Sequence, residues 1–293
     1  MAHVAENFVT LVDFLARQWS GRHPAPTRVG VRGDWRNCAV FSFDLAMILQ
    51  GLADAAPVVG PALCAETARR IAPWLDRMIS HDGTLMPYLA LGPIELPSRW
   101  STRPGAFQMK AATALLSVPP EWLSQTQSAA AQRTLERWAN DAAMHRELHA
   151  RFYALEGLLR DGRPFTPELV LEGQSGDGWF PETIGKPHDF PRADVQAQAL
   201  RLLCLSPMAT EAARDIAASS LLRHVRADGF VSFRIGELEA NVWCALFAHQ
   251  ALDWLCWLRG AGSSTPDARR MGQAWSALPV LPRATAMRSR PSL

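Results

Sequence analysis

Hydrophobic and polar positions alternate with the period of an α-helix along most of this chain. Loops rich in Gly, Pro and Asp separate the periodic segments, and strand-like alternation is brief and confined to loops, as at residues 230–233. The pattern therefore predicts an all-α protein. The predicted helical segments are residues 7–19, 40–52, 65–79, 105–116, 125–143, 148–159, 193–205, 211–225 and 240–258.

Two kinds of helix alternate. One kind is apolar on nearly all sides, and its members start near residues 40, 104, 149, 193 and 240, which are 64, 45, 44 and 47 residues apart. The helices between them carry charge on one face. A closed ring of helical hairpins needs this alternation, because inner helices are covered and outer helices have one wet face. We therefore expect an α/α toroid with a repeat of about 45 residues. An open TPR or HEAT solenoid is the alternative, but its repeats are usually shorter and lack such long loops.

Three of the more polar segments end in an Asp-Gly turn followed by apolar residues, at residues 82–83, 177–178 and 228–229. Glycine supplies the positive φ that such turns need. Residues 174–180, Gln-Ser-Gly-Asp-Gly-Trp-Phe, resemble the Gln…Gly…Trp repeat of squalene and hopene cyclases and their prenyltransferase relatives. The hairpin rhythm over residues 1–259 also resembles the six-hairpin glycosidases, sugar 2-epimerases and α/α-barrel polysaccharide lyases. These families share the α/α-toroid fold, which the resemblance implies here.

The chain departs from two of these families. It lacks the Asp-x-Asp-Asp run by which class II terpenoid cyclases protonate their substrate, and any Cys-His-Asp arrangement resembling the prenyltransferase zinc site. Fold resemblance therefore does not establish terpenoid chemistry.

The distribution of charge along the chain is more informative than the net charge. The net charge is only +2, which argues against a protein built mainly to hold nucleic acid. Residues 260–293 hold five Arg and one Asp, so this segment is basic and the preceding 259 residues are slightly acidic. We expect a toroid domain over residues 1–259 and a mostly irregular C-terminal tail over residues 260–293.

The N-terminus has neither the basic nor the apolar region of a secretory signal, and the longest apolar candidate, residues 241–258, is interrupted by polar residues. We therefore expect a cytoplasmic protein without a membrane span. The five cysteines form no Cys-x-x-Cys pair and are expected to be free, buried thiols: Cys38, Cys64, Cys204, Cys244 and Cys256. Oligomeric state cannot be predicted from these features.

Inner helices of a toroid point their first turns at one mouth of the ring, so polar residues there are the site candidates. His149, Tyr153 and Glu156 fall at i, i+4 and i+7 on one stripe of the third inner helix, and the fourth helix repeats the spacing. Such stripes are costly to bury unless paired, so either a site or an internal hydrogen-bond network is expected. Asp44 lies among Phe41, Phe43 and Met47, where an unpaired carboxyl would be a general-acid candidate. The alternative is a structural carboxylate paired with a nearby Arg. The predicted catalytic residues are His149, Tyr153, Glu156, Asp44, Asp194 and His249.

Aromatic and amide side chains at the mouth suit a saccharide, because rings stack on its C–H faces while polar groups bind its hydroxyls. Eleven Trp against two Tyr supply such platforms. His145 and His149 have zinc-like spacing but no third ligand, so neither a metal nor a cofactor is expected. The predicted substrate-binding residues are Trp35, Trp100, Arg103, Gln108, Lys110, Trp179, Gln198, Arg201, Asn241 and Trp243.

We therefore expect an intracellular enzyme acting on a saccharide or sugar-like metabolite, of hydrolase, lyase or epimerase type, with a small-molecule or oligosaccharide substrate as its partner. Two alternatives stay open. A terpenoid-cyclase-like enzyme requires an aromatic cavity with one protonating carboxylate, for which Asp44 is the candidate. A non-catalytic binding scaffold requires that the stripe of His149, Tyr153 and Glu156 be internally hydrogen-bonded.

Overall fold

The structure is a computed structural model that describes residues 2–19, 23–28, 34–186, 191–237 and 241–260, with side chains from residue 6 onward. Helices dominate it. They are α1 (Ala2–Gln18), α2 (Ser42–Val59), α3 (Pro61–Ile71), α4 (Pro73–Asp76), α5 (Gln108–Ser117), α6 (Gln125–Trp138), α7 (Leu148–Arg160), α8 (Glu168–Leu171), α9 (Ala193–Leu205), α10 (Glu211–Leu222) and α11 (Val242–Gly260).

An inner layer consists of five helices in sequence. α2 packs on α5, α5 on α7, α7 on α9, and α9 on α11, while α3, α6 and α10 cover α2, α5 and α9 from outside. The Nζ of Lys110 on α5 lies 5.9 Å from the Phe43 ring on α2, 4.4 Å from the Tyr153 ring on α7 and 5.5 Å from the Phe247 ring on α11. Four inner helices thus meet around one ammonium group, and Arg201 of α9 reaches the same place. The fold is the expected α/α toroid.

Local chemistry sets several helix boundaries. The predicted helix over residues 65–79 is divided into α3 and α4, because Pro73 cannot donate the backbone hydrogen bond that would continue it. Ser124 caps α6 by accepting from the backbone N–H of Gln127, and Thr210 caps α10 in the same way through Ala213. The start of the predicted segment 40–52 is instead a short strand. β1 (Ala39–Phe41) pairs antiparallel with β2 (Tyr88–Ala90).

The three Asp-Gly turns share one geometry. In each, a backbone N–H donates to the carbonyl four residues later: Ser80 to Thr84 at 2.8 Å, Ser175 to Trp179 at 2.7 Å, and Arg226 to Phe230 at 2.8 Å. The glycines have φ of 80°, 89° and 83°, which L side chains rarely adopt. The residue after each turn is tied to the next inner helix. Gln108 donates to the Leu85 carbonyl, Gln196 to the Phe180 carbonyl, and the Asn241 backbone to the Val231 carbonyl.

α2 is one helix whose length and apolar composition would allow it to cross a membrane, although its buried side chains pack against α3 and α5. The predicted basic tail lies outside the described residues, apart from Gly260 at the end of α11.

Candidate active site

Two parallel stripes of polar side chains face each other across α7 and α9. His149, Tyr153 and Glu156 line α7, while Asp194, Gln198 and Arg201 occupy the same i, i+4, i+7 positions on α9. At the upper end, His149 Nδ1 lies 3.7 Å from Asp194 Oδ2. At the lower end, Arg201 Nη2 lies 3.3 Å from Glu156 Oε1. The two stripes therefore run in register, and we call these six residues the polar column.

The upper end is aromatic and nearly enclosed. The His149 ring lies 4.5 Å from the Tyr153 ring and 5.4 Å from the Trp100 ring, centroid to centroid, and 7% of the residue is exposed. Burial lowers the pKa of His149 to about 4, because desolvation of the imidazolium outweighs the attraction of Asp194. His149 is therefore a neutral imidazole at pH 7. Burial raises the pKa of Tyr153 well above 10, so its hydroxyl keeps its proton.

Asp194 is held as a carboxylate beside this imidazole. Arg192 donates to it from Nε at 3.1 Å and from Nη2 at 2.6 Å, and the backbone N–H of Val195 donates at 3.0 Å. Burial acts to raise the pKa of Asp194, but His149 when charged and Arg192 together lower it below its usual value. Asp194 thus has the position and charge to stabilise a proton taken up by His149.

The lower end is a compact ion cluster formed by Lys110, Glu156 and Arg201. Lys110 Nζ lies 2.5 Å from Glu156 Oε2, and the three residues are 3%, 1% and 1% exposed. Burial lowers the pKa of Lys110 to about 8 despite the attraction of Glu156. We call these three residues the base cluster. Because Glu156 is held between two cations, its carboxylate is less available than the His149 imidazole to act as an acid or base.

Asp44 lies at the edge of the site and is paired. Arg28 donates to its two carboxylate oxygens at 2.7 and 2.9 Å, and the guanidinium also lies 4.2 Å from the Phe41 ring centroid. A carboxylate held by two charge-assisted hydrogen bonds is the Arg-paired alternative and not an unpaired acid. The structure thus shows Asp44 as half of an ion pair, which corrects the prediction that it is a catalytic acid.

Several predicted site residues lie elsewhere. The Gln108 side-chain amide is hydrogen-bonded to the backbone. It donates to Leu85 O at 2.6 Å and accepts from Gly105 N at 3.1 Å. Trp179 packs edge-on against His224 and beneath Arg223. Arg103 is exposed, with its Nε near the Arg99 carbonyl. Trp35 lies beside Phe41 and under two guanidinium groups, of Arg36 and Arg99.

The stripe predicted on α11 faces outward. Asn241 caps the helix by accepting from Cys244 N at 3.0 Å, His249 is exposed with Nδ1 2.9 Å from Asp253, and Trp243 is 46% exposed. These predictions are corrected. α11 is apolar on most sides, so its sequence does not reveal which stripe faces in. The inward stripe consists of Cys244, Phe247, Ala248, Ala251 and Leu255.

The sequence reasoning missed four residues of this region. Phe43 lies 4.7 Å from the Tyr153 ring, and Phe247 lies 4.8 Å from the guanidinium of Arg201. Arg192 orients Asp194, and its place two residues earlier in the sequence was a usable signal. Arg28 offered none, because its loop precedes Asp44 by 16 residues.

Among the described residues, no group of three His, Cys, Asp or Glu side chains could hold a metal ion. The five cysteines are free thiols. Cys64, Cys204 and Cys244 are buried as expected, whereas Cys256 is exposed and Cys38 is half-buried, contrary to expectation.

No family model matches the chain, and no curated protein matches it. One solved structure is similar, a possible member of the GH105 family from Salmonella enterica serovar Paratyphi A. It is 12% identical to this chain, with a TM-score of 0.44, over 88% of this chain and 70% of that one.

Proposed function

We propose that this protein is an enzyme that transfers protons on a saccharide or sugar-like metabolite bound at the upper end of the polar column. The observation that carries the proposal is the placement of the His149 imidazole, which has the Asp194 carboxylate 3.7 Å from Nδ1 and the Trp100 and Tyr153 rings beside it. A neutral imidazole accepts a proton, and the Asp194 carboxylate stabilises the resulting cation.

Among hydrolase, lyase and epimerase types, we favour the proton-transfer types, lyase or epimerase. Glycoside hydrolysis commonly uses two carboxyl groups, one of which must be a free acid. Asp44, Glu156 and Asp194 are each held by at least one cationic side chain. His149 as base and the Tyr153 hydroxyl as proton donor do not have this restriction, and Trp100 supplies a half-buried ring beside them.

The test is solvent exchange during turnover. We expect wild-type protein in D2O to place deuterium on a carbon of one member of a panel of mono- and oligosaccharides, detected by proton NMR. His149→Gln should slow this incorporation by about 10²–10⁴-fold, the usual contribution of a positioned general base. His249→Gln is the matched control, because that histidine is exposed on α11. Equal rates for wild type and His149→Gln, or no incorporation with any sugar, would overturn the proposal.

A non-catalytic binding protein is the second candidate. The observation that favours it is the base cluster, where Glu156 is fully enclosed and ion-paired as a structural group would be. This candidate expects saccharide binding that quenches Trp100 fluorescence and is lost in Trp100→Ala, without any chemical change in the sugar. The terpenoid-cyclase alternative has no comparable support, because its candidate acid Asp44 is paired with Arg28.

A further inference from the structure

Two glutamines on α9 are equally enclosed but differ in their hydrogen bonds. Gln196 and Gln198 are each 0% exposed. The Gln196 amide accepts from Phe180 N at 3.1 Å and donates to Phe180 O at 2.6 Å. The Gln198 amide, in contrast, has no hydrogen-bond partner at Oε1 or at Nε2 among the residues that the structure describes. A buried amide left unpaired costs free energy, so a ligand that bonds to Gln198 would remove that cost.

Gln198 occupies the middle of the polar column. It lies one turn after Asp194 and one turn before Arg201, whose side chains reach His149 and Glu156 on α7. Gln198, which lies between them on the stripe, therefore faces α7 as well. His149 Nδ1 is also enclosed, and it has no hydrogen-bond partner within the described part of the chain. Two polar side chains that lack hydrogen bonds thus lie on the facing stripes of α7 and α9.

The chemistry of this region favours a neutral ligand. Asp194 is bonded to Arg192, and Glu156 is paired with Lys110 and Arg201, so the charges nearby already have partners. Apart from groups held by these ion pairs, the column has two groups without hydrogen bonds among the described residues: an amide, which offers one acceptor and two donors, and a neutral imidazole. A pair of neighbouring hydroxyl groups matches an amide, because each hydroxyl both donates and accepts.

We propose that the Gln198 amide is the floor of a deep subsite that binds two neighbouring hydroxyl groups of the sugar residue on which His149 acts. This inference rests on the proposed function, because it places the same sugar more precisely. It assigns to Gln198 a binding role and to the matched Gln196 a structural role in holding the Asp-Gly turn to α9.

The first arm of the test uses ligand-free protein and compares Gln198→Met with Gln196→Met. Methionine keeps the length of the side chain and removes the amide. Gln198→Met should leave the Tm unchanged or raise it by about 2–4 °C, because it removes an unpaired buried group. Gln196→Met should lower the Tm by several degrees, because it leaves Phe180 N and O without partners. If Gln198→Met lowers the Tm as much as Gln196→Met, the amide is bonded within the chain and the subsite does not exist.

The second arm measures binding by calorimetry, with erythritol as a minimal probe with neighbouring hydroxyls and with the saccharide panel. Gln198→Met should weaken binding of both by at least about tenfold relative to wild type. Unchanged sugar binding by Gln198→Met would overturn the subsite and leave the proposed function intact. Binding of erythritol that depends on Gln198, without any sugar turnover, would overturn the proposed function and leave the subsite. No binding of any probe to wild type would overturn both.

Discussion

The upper and lower ends of the polar column are built from the same two helices but hold their charges differently. At the lower end Glu156 is bound between two cations, at 2.5 and 3.3 Å, and all three groups are enclosed. At the upper end His149 is neutral and lies 3.7 Å from its carboxylate neighbour, and no described residue hydrogen-bonds to its Nδ1. Complete pairing suits a group that holds helices together, and incomplete pairing leaves a group able to take up a proton. Residues on the same stripe of a helix therefore need not have the same role.

The base cluster should carry the larger share of stability. Glu156→Gln would remove the carboxylate from between Lys110 and Arg201 and leave two buried cations without it. Breaking a buried ion pair typically costs about 3–5 kcal/mol of unfolding free energy, which urea denaturation would measure. The control is Glu66→Gln, because its exposed pairs with Arg69 and Arg70 are screened by solvent and should change the unfolding free energy far less. Equal losses for the two variants would remove the distinction between the ends.

The upper end should set the response to acid. The pKa of His149 is about 4 in the folded chain and near 6.5 when unfolded, so the unfolded chain takes up its proton first as the pH falls. The stability contributed by the neutral imidazole is complete above pH 6.5 and is lost between pH 6.5 and 4, by about 3 kcal/mol. His224, whose pKa burial also lowers to about 4, acts in the same window.

Denaturation across this pH range would measure both contributions. His149→Gln and His224→Gln should each flatten the acid slope, and the two effects should add because the side chains contact different neighbours. An unchanged slope in His149→Gln would show that the imidazole is already charged in the folded protein.

A glycine tests whether the base cluster depends on the spacing between α5 and α7. A Cβ added at Gly157 would lie 2.6 Å from Met109 Cβ and 2.8 Å from the backbone N of Lys110. Gly157→Ala should therefore push the helices apart, weaken the Lys110–Glu156 pair and cost about 1–3 kcal/mol. Gly51→Ala on α2 is the matched control. Its Cβ meets nothing within 4 Å, so it should be stabilising by about 0.5–1 kcal/mol. A neutral Gly157→Ala would contradict the close approach.

The smallest effect is expected on α11. His249→Gln would remove an exposed pair with Asp253 and should change stability by less than about 0.5 kcal/mol, measured by urea denaturation at pH 7. A large loss would mean that the outward face of α11 takes part in the column after all.

The inner and outer helices could be predicted from the sequence because burial on all sides removes most polar residues from α7 and α9, apart from one stripe on each and the single residues Arg151 and Gln196. The stripes of His149 and Asp194 were visible for the same reason, and their register follows from equal spacing on neighbouring helices. Three features were hidden. The partner of Asp44 is a loop residue, Arg28, which no helical spacing identifies. The orientation of α11 is masked by apolar residues on both faces. The hydrogen bonds of the Gln108 amide to the backbone depend on the position of the preceding Asp-Gly turn.

The repeated Asp-Gly turns also bear on how the chain folds. Each closes a loop of only five residues, and the side chains of Asp82 and Asp228 accept a backbone N–H within the turn. Short loops cost little closure entropy and form on a fast timescale. We therefore expect the turns to form before the long-range contacts of α9 with α11. Each turn would then orient the segment that follows it. The ring would form one hairpin after another.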